Sequence, residues 1–280
     1  MITDCHIHIH PMEMLHSGAL ELIKRNRPNF DQIADFGHSP TSLLKYLDEA
    51  GVERAVLINY VAPDFIGFTP TINEWVANYT KENPRRLISC GGLHPRQSQN
   101  IMAEVEQFLR LKIRAIKLHP PHQLLFPNDY LNGVKELEVI YRAAEANGLP
   151  IIFHTGTSIF EGARNRYGDP MYLDDVAVDF PKLKIIMAHG GRPLWMDTAF
   201  FLLRRHPNMF LDISSIPPKS LLRYFPRLEE IAYKSMFGTD WPGPAVPEMR
   251  KNVEDFCALP LGEKSRQQIL WDTALSIWPL

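Results

Sequence analysis

The chain has 280 residues, 45% hydrophobic and 22% charged, with a formal net charge of −2. That is long and apolar enough for a sizeable core, and the near-neutral balance excludes a broad pull toward nucleic acid or anionic membrane. No apolar run could span a bilayer and no basic-then-apolar leader opens the chain, so a soluble cytoplasmic protein is expected.

The first predicted strand lies in Ile2-Thr3-Asp4-Cys5-His6-Ile7-His8-Ile9, with His10 already in the loop before Pro11. Strand alternation puts His6 and His8 on one face and sends Cys5 to the opposite face, into core. Two neighbouring imidazoles can grip a metal ion from one wall of a pocket, and imidazole is costly to bury without a partner. A histidine-rich tag is the competing reading, weakened by the interleaved isoleucines. The three cysteines, Cys5, Cys90 and Cys257, are too scattered for a disulfide framework or a Cys-x-x-Cys site.

A helix is expected near Glu13–Arg25 and a loop over the polar, proline-bearing stretch Asn26–His38. Ser39-Pro40-Thr41 opens a helix to Glu49, with Gly51 as its stop. Further strands are predicted at Arg54–Tyr60, Leu87–Leu93, Ala115–Leu118, Pro150–His154, Leu183–Ala188, Met209–Ile213 and Ser235–Gly238. Helices alternate with them at Thr71–Glu82, Ile101–Leu111, Val134–Ala146, Leu173–Asp179, Met196–Arg205 and Ser220–Tyr233. Two helical stretches, Pro247–Cys257 and Glu263–Ile277, finish the chain.

The strands are continuous apolar runs, the mark of parallel strands buried on both faces. Eight strand–helix alternations at roughly 35 residues each predict an α/β fold, a single-domain (β/α)8 TIM barrel. A doubly wound open sheet would offer a Gly-x-Gly-x-x-Gly loop after a strand, and none is present.

Chemistry in such a barrel sits at the C-terminal ends of the strands. There the sequence places His6, His8, His94, Lys117, His119, His154, His189 and Asp240, with Asp212 and Ser214 near the end of strand seven. The long segment Thr157–Tyr172 carries Arg164 and Arg166. With His94, Arg96, His119 and Arg192 they make the mouth basic, which suits a carboxylate held by guanidinium. Each arginine could equally be a surface charge or pair with Asp169, Asp174 or Asp175. Phe160, Trp195 and Trp241 are read as pocket wall or as packing. His16, His38, His122 and His206 are read as structural or solvated.

Five motifs carry a family resemblance: His6-Ile7-His8, Ile116-Lys117-Leu118-His119-Pro120, Phe153-His154-Thr155-Gly156, Ala188-His189-Gly190-Gly191 and Gly238-Thr239-Asp240-Trp241-Pro242. With them and the run from Tyr167 to Ala177, the whole chain resembles the amidohydrolase superfamily, in the branch of aminocarboxymuconate-semialdehyde decarboxylase. The resemblance implies one divalent ion held by His6, His8, His154 and Asp240, with Zn²⁺ the first choice, Mn²⁺ the second, and one ion favoured over two. It implies a metal-activated water, Asp240 as acceptor of its proton, and His189 beside the ion as polariser or proton shuttle. Lys117 has three readings: a carbamate bridging two ions as in two-metal members, a contact to an anionic substrate, or a buried ion pair.

Substrate contacts are expected from Lys117, His119, His94, Arg164 and Arg192. The implied function is a metal-dependent hydrolase of a small carboxylated amide, lactone or ester. The alternative is a metal-dependent, non-oxidative decarboxylase of an aromatic or unsaturated acid. The expected partner is a small anionic molecule, with no nucleic acid and no membrane; association into a homo-oligomer is left open.

Overall fold

The structure, a computed structural model, describes every residue except 26, 28, 244 and 245. Eight strands form one parallel sheet in sequential order: β1 (Thr3–Ile7), β2 (Arg54–Ile58), β3 (Leu87–Gly92), β4 (Ala115–Leu118), β5 (Ile151–His154), β6 (Ile185–Ala188), β7 (Met209–Asp212) and β8 (Ser235–Met236). The ring is closed along the β1 edge. Cys5 N–H donates to Phe237 O at 2.8 Å, Asp240 N–H to His6 O at 2.8 Å, and His8 N–H to Trp241 O at 2.7 Å. The fold is the expected single (β/α)8 barrel, and no helix among the described residues is long and apolar enough to cross a membrane.

The strand sequences explain the architecture. Nearly all their side chains are buried, because one face meets the barrel axis and the other meets the helices. Val56, Ile58, Ile88, Ile152 and Met236 pack together inside the ring. Their alternates Leu57, Leu87, Leu118, Phe153 and Leu211 join the larger core under the helices. Each fully buried side chain of this kind contributes about 1.5–3 kcal/mol.

β1 departs from strict alternation. Asp4 pairs with Ala55 but Ile7 pairs with Leu57, so one extra residue is accommodated between them. Cys5 is therefore core, as expected, but it joins the axial cluster and not the helix-facing one. The bulge lets Cys5, His6 and His8 all belong to the inner side of the strand, which simple period-2 reading does not permit.

The segment after β1 also differs from expectation. A 3-10 turn, Met12–Met14, precedes helix α1 (Ser17–Arg25), and the expected loop instead contains helix α2 (Phe30–His38). Positions 26 and 28 of that loop lie outside the described residues. Ile33, Phe36 and Gly37 are buried at helical spacing, so a narrow apolar stripe suffices despite the polar composition. Gly37 is required there: a Cβ would overlap the carbonyl oxygen of His10. Helix α3 (Pro40–Glu49) begins as expected, with the Ser39 side chain accepting from Ser42 N–H at 3.1 Å and Pro40 in the first turn.

Side chains from the helical layer finish the strand ends. Asn73, in the helix Thr71–Thr80, donates to Gly92 O at 2.8 Å and accepts from Gly92 N–H at 2.9 Å. Asn73→Ala leaves both buried groups of Gly92 unpaired and is expected to lower unfolding stability by about 2–4 kcal/mol. Denaturant titration checks this; a loss below about 0.5 kcal/mol would show that the pairing contributes little.

Candidate metal centre

The closing edge of the barrel builds the site. Asp4 is fully buried, and its carboxylate accepts from Thr239 N–H (3.0 Å), the Thr239 hydroxyl (2.6 Å) and His6 N–H (3.0 Å). One side chain thus ties β1 to the turn after β8. His6 and Asp240 consequently face each other, with His6 Nε2 3.5 Å and His8 Nε2 3.1 Å from Asp240 Oδ1.

Three of the imidazoles have Nδ1 facing an acceptor. His6 Nδ1 lies 2.5 Å from Asp212 Oδ2, His8 Nδ1 3.1 Å from Ile58 O, and His189 Nδ1 3.0 Å from Ser214 O. The proton is therefore placed on Nδ1 and each Nε2 keeps a bare lone pair. Burial lowers the pKa of His6, His154 and His189, keeping them neutral. Burial works against the Asp240 carboxylate, but positive charge at the neighbouring imidazole nitrogens, His8 first among them, outweighs it and holds the pKa well below the usual range; with the rings neutral that charge has to come from elsewhere. Asp212 is likewise pulled down to about 2 by His6, against the effect of burial.

Lone pairs thus face a carboxylate, an arrangement that repels unless a cation lies between them. His6 Nε2 and His154 Nε2 are buried without hydrogen-bond partners among the described residues. The residues present fit a divalent cation with imidazole and carboxylate ligands. Among the described residues, ligand atoms of His6, His189 and Asp240 all lie within 4.8 Å of one another, close enough to share an ion. His189, expected to stand beside the metal, therefore belongs to the tightest group. His154 lies next to it, with its ring centroid 4.8 Å from that of His189.

Two of these residues adopt left-handed backbone, His189 at φ 68° and Asp240 at φ 67°. Such conformations cost about 1–3 kcal/mol each. The hydrogen bonds of the strand-end turns hold them and aim both side chains inward.

The remaining expected residues divide. Lys117, His119 and Arg192 line a cavity of about 300 Å³ over the histidines. Lys117 Nζ is buried without a hydrogen-bond partner among the described residues, and burial pulls its pKa down to about 8. Arg192 donates to Ser215 Oγ at 2.6 Å, while its Nε–H has no partner among the described residues. His94 is buried but does not line the cavity, and Arg164 is exposed outside it. Arg96 pairs with Asp129. Trp241 packs against Phe36 and Tyr46, while Phe160 is on the cavity wall.

Sequence reading missed Arg27, Tyr60 and His122, which also line the cavity. His122 is not solvated: it is 3% exposed and stacks on His119 at 3.6 Å between centroids. The signal was available in His119-Pro120-Pro121-His122, because prolines in a first turn start a helix and fold residue i+3 back over residue i. Asp212, placed near the rim without a role, orients His6. Arg27 follows an amphipathic helix and had no local signal.

A barrel with histidines and an aspartate at its C-terminal rim defines a class of metal-dependent enzymes. Residues 3–280 match the family described as amidohydrolase, and the chain belongs to that family, which includes decarboxylases of the aminocarboxymuconate-semialdehyde type. No curated protein matches the sequence at a significant level. Among solved structures, an uncharacterised TIM-barrel protein from Bordetella bronchiseptica has a TM-score of 0.78 at 21% identity, covering 99% of this chain and 98% of that one. A 2,6-dihydroxybenzoate decarboxylase complexed with 2,6-dihydroxybenzoate has a TM-score of 0.67 at 15% identity, covering 100% and 98%. A 5-carboxyvanillate decarboxylase from Novosphingobium aromaticivorans, with bound manganese, has a TM-score of 0.62 at 13% identity, covering 99% and 96%.

The Asp212–His6 contact makes a sharp prediction. In Asp212→Asn an amide N–H can face His6 Nδ1, forcing the ring proton to Nε2 and blocking the lone pair. Metal affinity is expected to fall about 10–100-fold, read by competition with a chelator; unchanged affinity would remove His6 from the ligand set.

Proposed function

We propose that the protein is a metal-dependent, non-oxidative decarboxylase of an aromatic or unsaturated acid, converting R–COO⁻ and H⁺ to R–H and CO2. The division of the cavity carries this reading. Met12, Leu15, Ala19 and Ile23 after β1, Ile66 after β2 and Phe160 after β5 form an apolar wall. Lys117, Arg192 and the imidazoles form a polar floor at the strand ends. Such a space takes an apolar body whose carboxylate faces the floor. Two of the similar structures are of decarboxylases, one with a benzoate bound and one with manganese, which supports the same choice.

One divalent ion, Zn²⁺ first and Mn²⁺ second, would be held by His6, His8, His154 and Asp240, with Lys117 as a free ammonium. When bound, the ion supplies Lewis-acid charge beside the substrate carboxylate. Arg192 and Lys117 hold that carboxylate by charge-assisted hydrogen bonds. Burial pulls the Lys117 pKa down to about 8, and a substrate carboxylate in contact with it favours the ammonium form. The apolar wall keeps bulk water from the carbon that loses CO2, so the incoming proton is delivered by a side chain. His189 relays it: burial keeps this imidazole neutral at rest, and it carries the proton only in transit.

Hydrolysis of a carboxylated amide, lactone or ester is the second reading. Asp240 favours it, because an ionised carboxylate beside His6 and His8 can accept a proton from water.

Metal-loaded protein incubated with aromatic and unsaturated acids is expected to release one CO2 for each acid consumed. A hydrolysed product formed without CO2 would replace the first reading with the second. His189→Ala is expected to cut turnover by about 10²–10⁴ while metal content by elemental analysis stays near normal. Loss of the ion together with activity would make His189 a ligand instead of a proton relay.

A further inference from the structure

We infer that Ser158 is a substrate-binding residue whose hydroxyl donates a hydrogen bond to an acceptor oxygen on the body of the substrate, and that Tyr60 and His122 fix it in the donor role. The inference rests on the acid-substrate reading above and adds a chemical feature to it: the acid carries an ether, carbonyl or oxyanion oxygen away from its reacting carboxylate.

The hydrogen bonds around His122 fix which group is the donor. Tyr60 Oη lies 3.0 Å from His122 Nδ1, and His122 Nε2 lies 2.8 Å from Ser158 Oγ. The His122 ring cannot turn out of this line, because it is stacked between His119 (3.6 Å, 14° between planes) and Phe65 (4.8 Å, 6°). Burial pulls the His122 pKa down to about 3 and raises that of the Tyr60 phenol, so the ring is neutral and the phenol protonated. A neutral imidazole donates from one nitrogen and accepts at the other.

Only two proton arrangements remain. If His122 donated from Nδ1 to Tyr60, the Tyr60 O–H, on a side chain only 5% exposed, would have no acceptor among the described residues, an expensive loss, whereas the half-buried Ser158 hydroxyl opens on the cavity. If Tyr60 donates to Nδ1, then Nε2–H donates to Ser158 and every buried proton is used. In that arrangement Ser158 Oγ accepts from His122 and, at 3.3 Å, from Phe160 N–H. Both lone pairs are then spent and only its O–H is left. Ser158 lines the cavity, so this remaining donor faces the substrate space.

The loop that carries Ser158 is held in place independently. Ser158 N–H donates to Asn165 Oδ1 at 2.8 Å, and Gly156 N–H donates to Gly168 O at 2.7 Å. Those two backbones meet so closely that a Cβ on Gly168 would overlap Gly156 O. Removing the Ser158 hydroxyl therefore leaves the loop closed.

The test uses binding to the full-length, metal-loaded protein, followed by titration calorimetry with 3- and 4-methoxybenzoate and their ethyl isosteres. Methoxy oxygen accepts a hydrogen bond and an ethyl group does not. The wild type is expected to bind one methoxy acid about 5–10-fold more tightly than its ethyl partner. Ser158→Ala should bring that ratio near one with ethyl-acid affinity unchanged, and Tyr60→Phe should lower it part-way. A purely structural role for Ser158 would weaken both acids equally, and that result overturns the inference. So does a wild type that treats the two acids alike, or a preference that survives in Ser158→Ala; a preference unchanged in Tyr60→Phe overturns the relay. Failure of any acid to bind the wild type would overturn the acid-substrate reading itself, and the role of Ser158 with it.

Discussion

The Asp4 carboxylate is the constraint on which the site depends. It is buried, it accepts three hydrogen bonds, and two of them cross from β1 to the turn after β8. Without that tie the first and last strands meet only through a few backbone bonds, because β8 is two residues long. His6 and Asp240 are 234 positions apart in sequence, and this seam is what sets them face to face. Strand alternation puts His8 on the same side as His6, and the bulge in β1 lets Cys5 join that inner side as well. Barrel closure and site assembly are therefore one event, and Asp4 stabilises both without reaching the cavity.

The electrostatics of the floor follow from the same geometry. Three imidazoles have their protons drawn to Nδ1 by Asp212, Ile58 O and Ser214 O, so their lone pairs converge on an ionised Asp240. A protein interior does not stabilise such a set by itself. Lys117 supplies one positive charge from β4 but makes no hydrogen bond to it. A bound cation would turn the repulsions at His6 and His8 into ligand bonds, leaving His189 to carry a proton and Lys117 and Arg192 to meet an anion. That division of labour is what makes an acid a natural substrate for this cavity.

The barrel was legible in the sequence because its strands are continuous apolar runs and its helices are regularly spaced. The rim histidines and Asp240 were legible because polar residues at the ends of apolar strands have no packing reason to be there. What escaped was local and tertiary. Helix α2 hid behind a polar composition with only a narrow apolar stripe. The β1 bulge cannot be read from alternation, so Cys5 was sent to the wrong face. His122 looked like a loop residue because its burial comes from a turn that stacks it on His119 and from a phenol 62 positions away. His94 and Arg164 were grouped with the site by strand-end position and by loop charge, and neither criterion says which way a side chain turns.

The central claim is that this seam builds a site for one divalent ion. A crystal structure of the metal-loaded protein, with anomalous data collected at the metal edge, tests it directly. The account predicts a single anomalous peak bonded to His6, His8, His154 and Asp240, at roughly 2.0–2.2 Å if the ion is zinc, with unmodified Lys117 beside it. A peak elsewhere, two peaks bridged by a carbamate on Lys117, or no peak under saturating metal would contradict it.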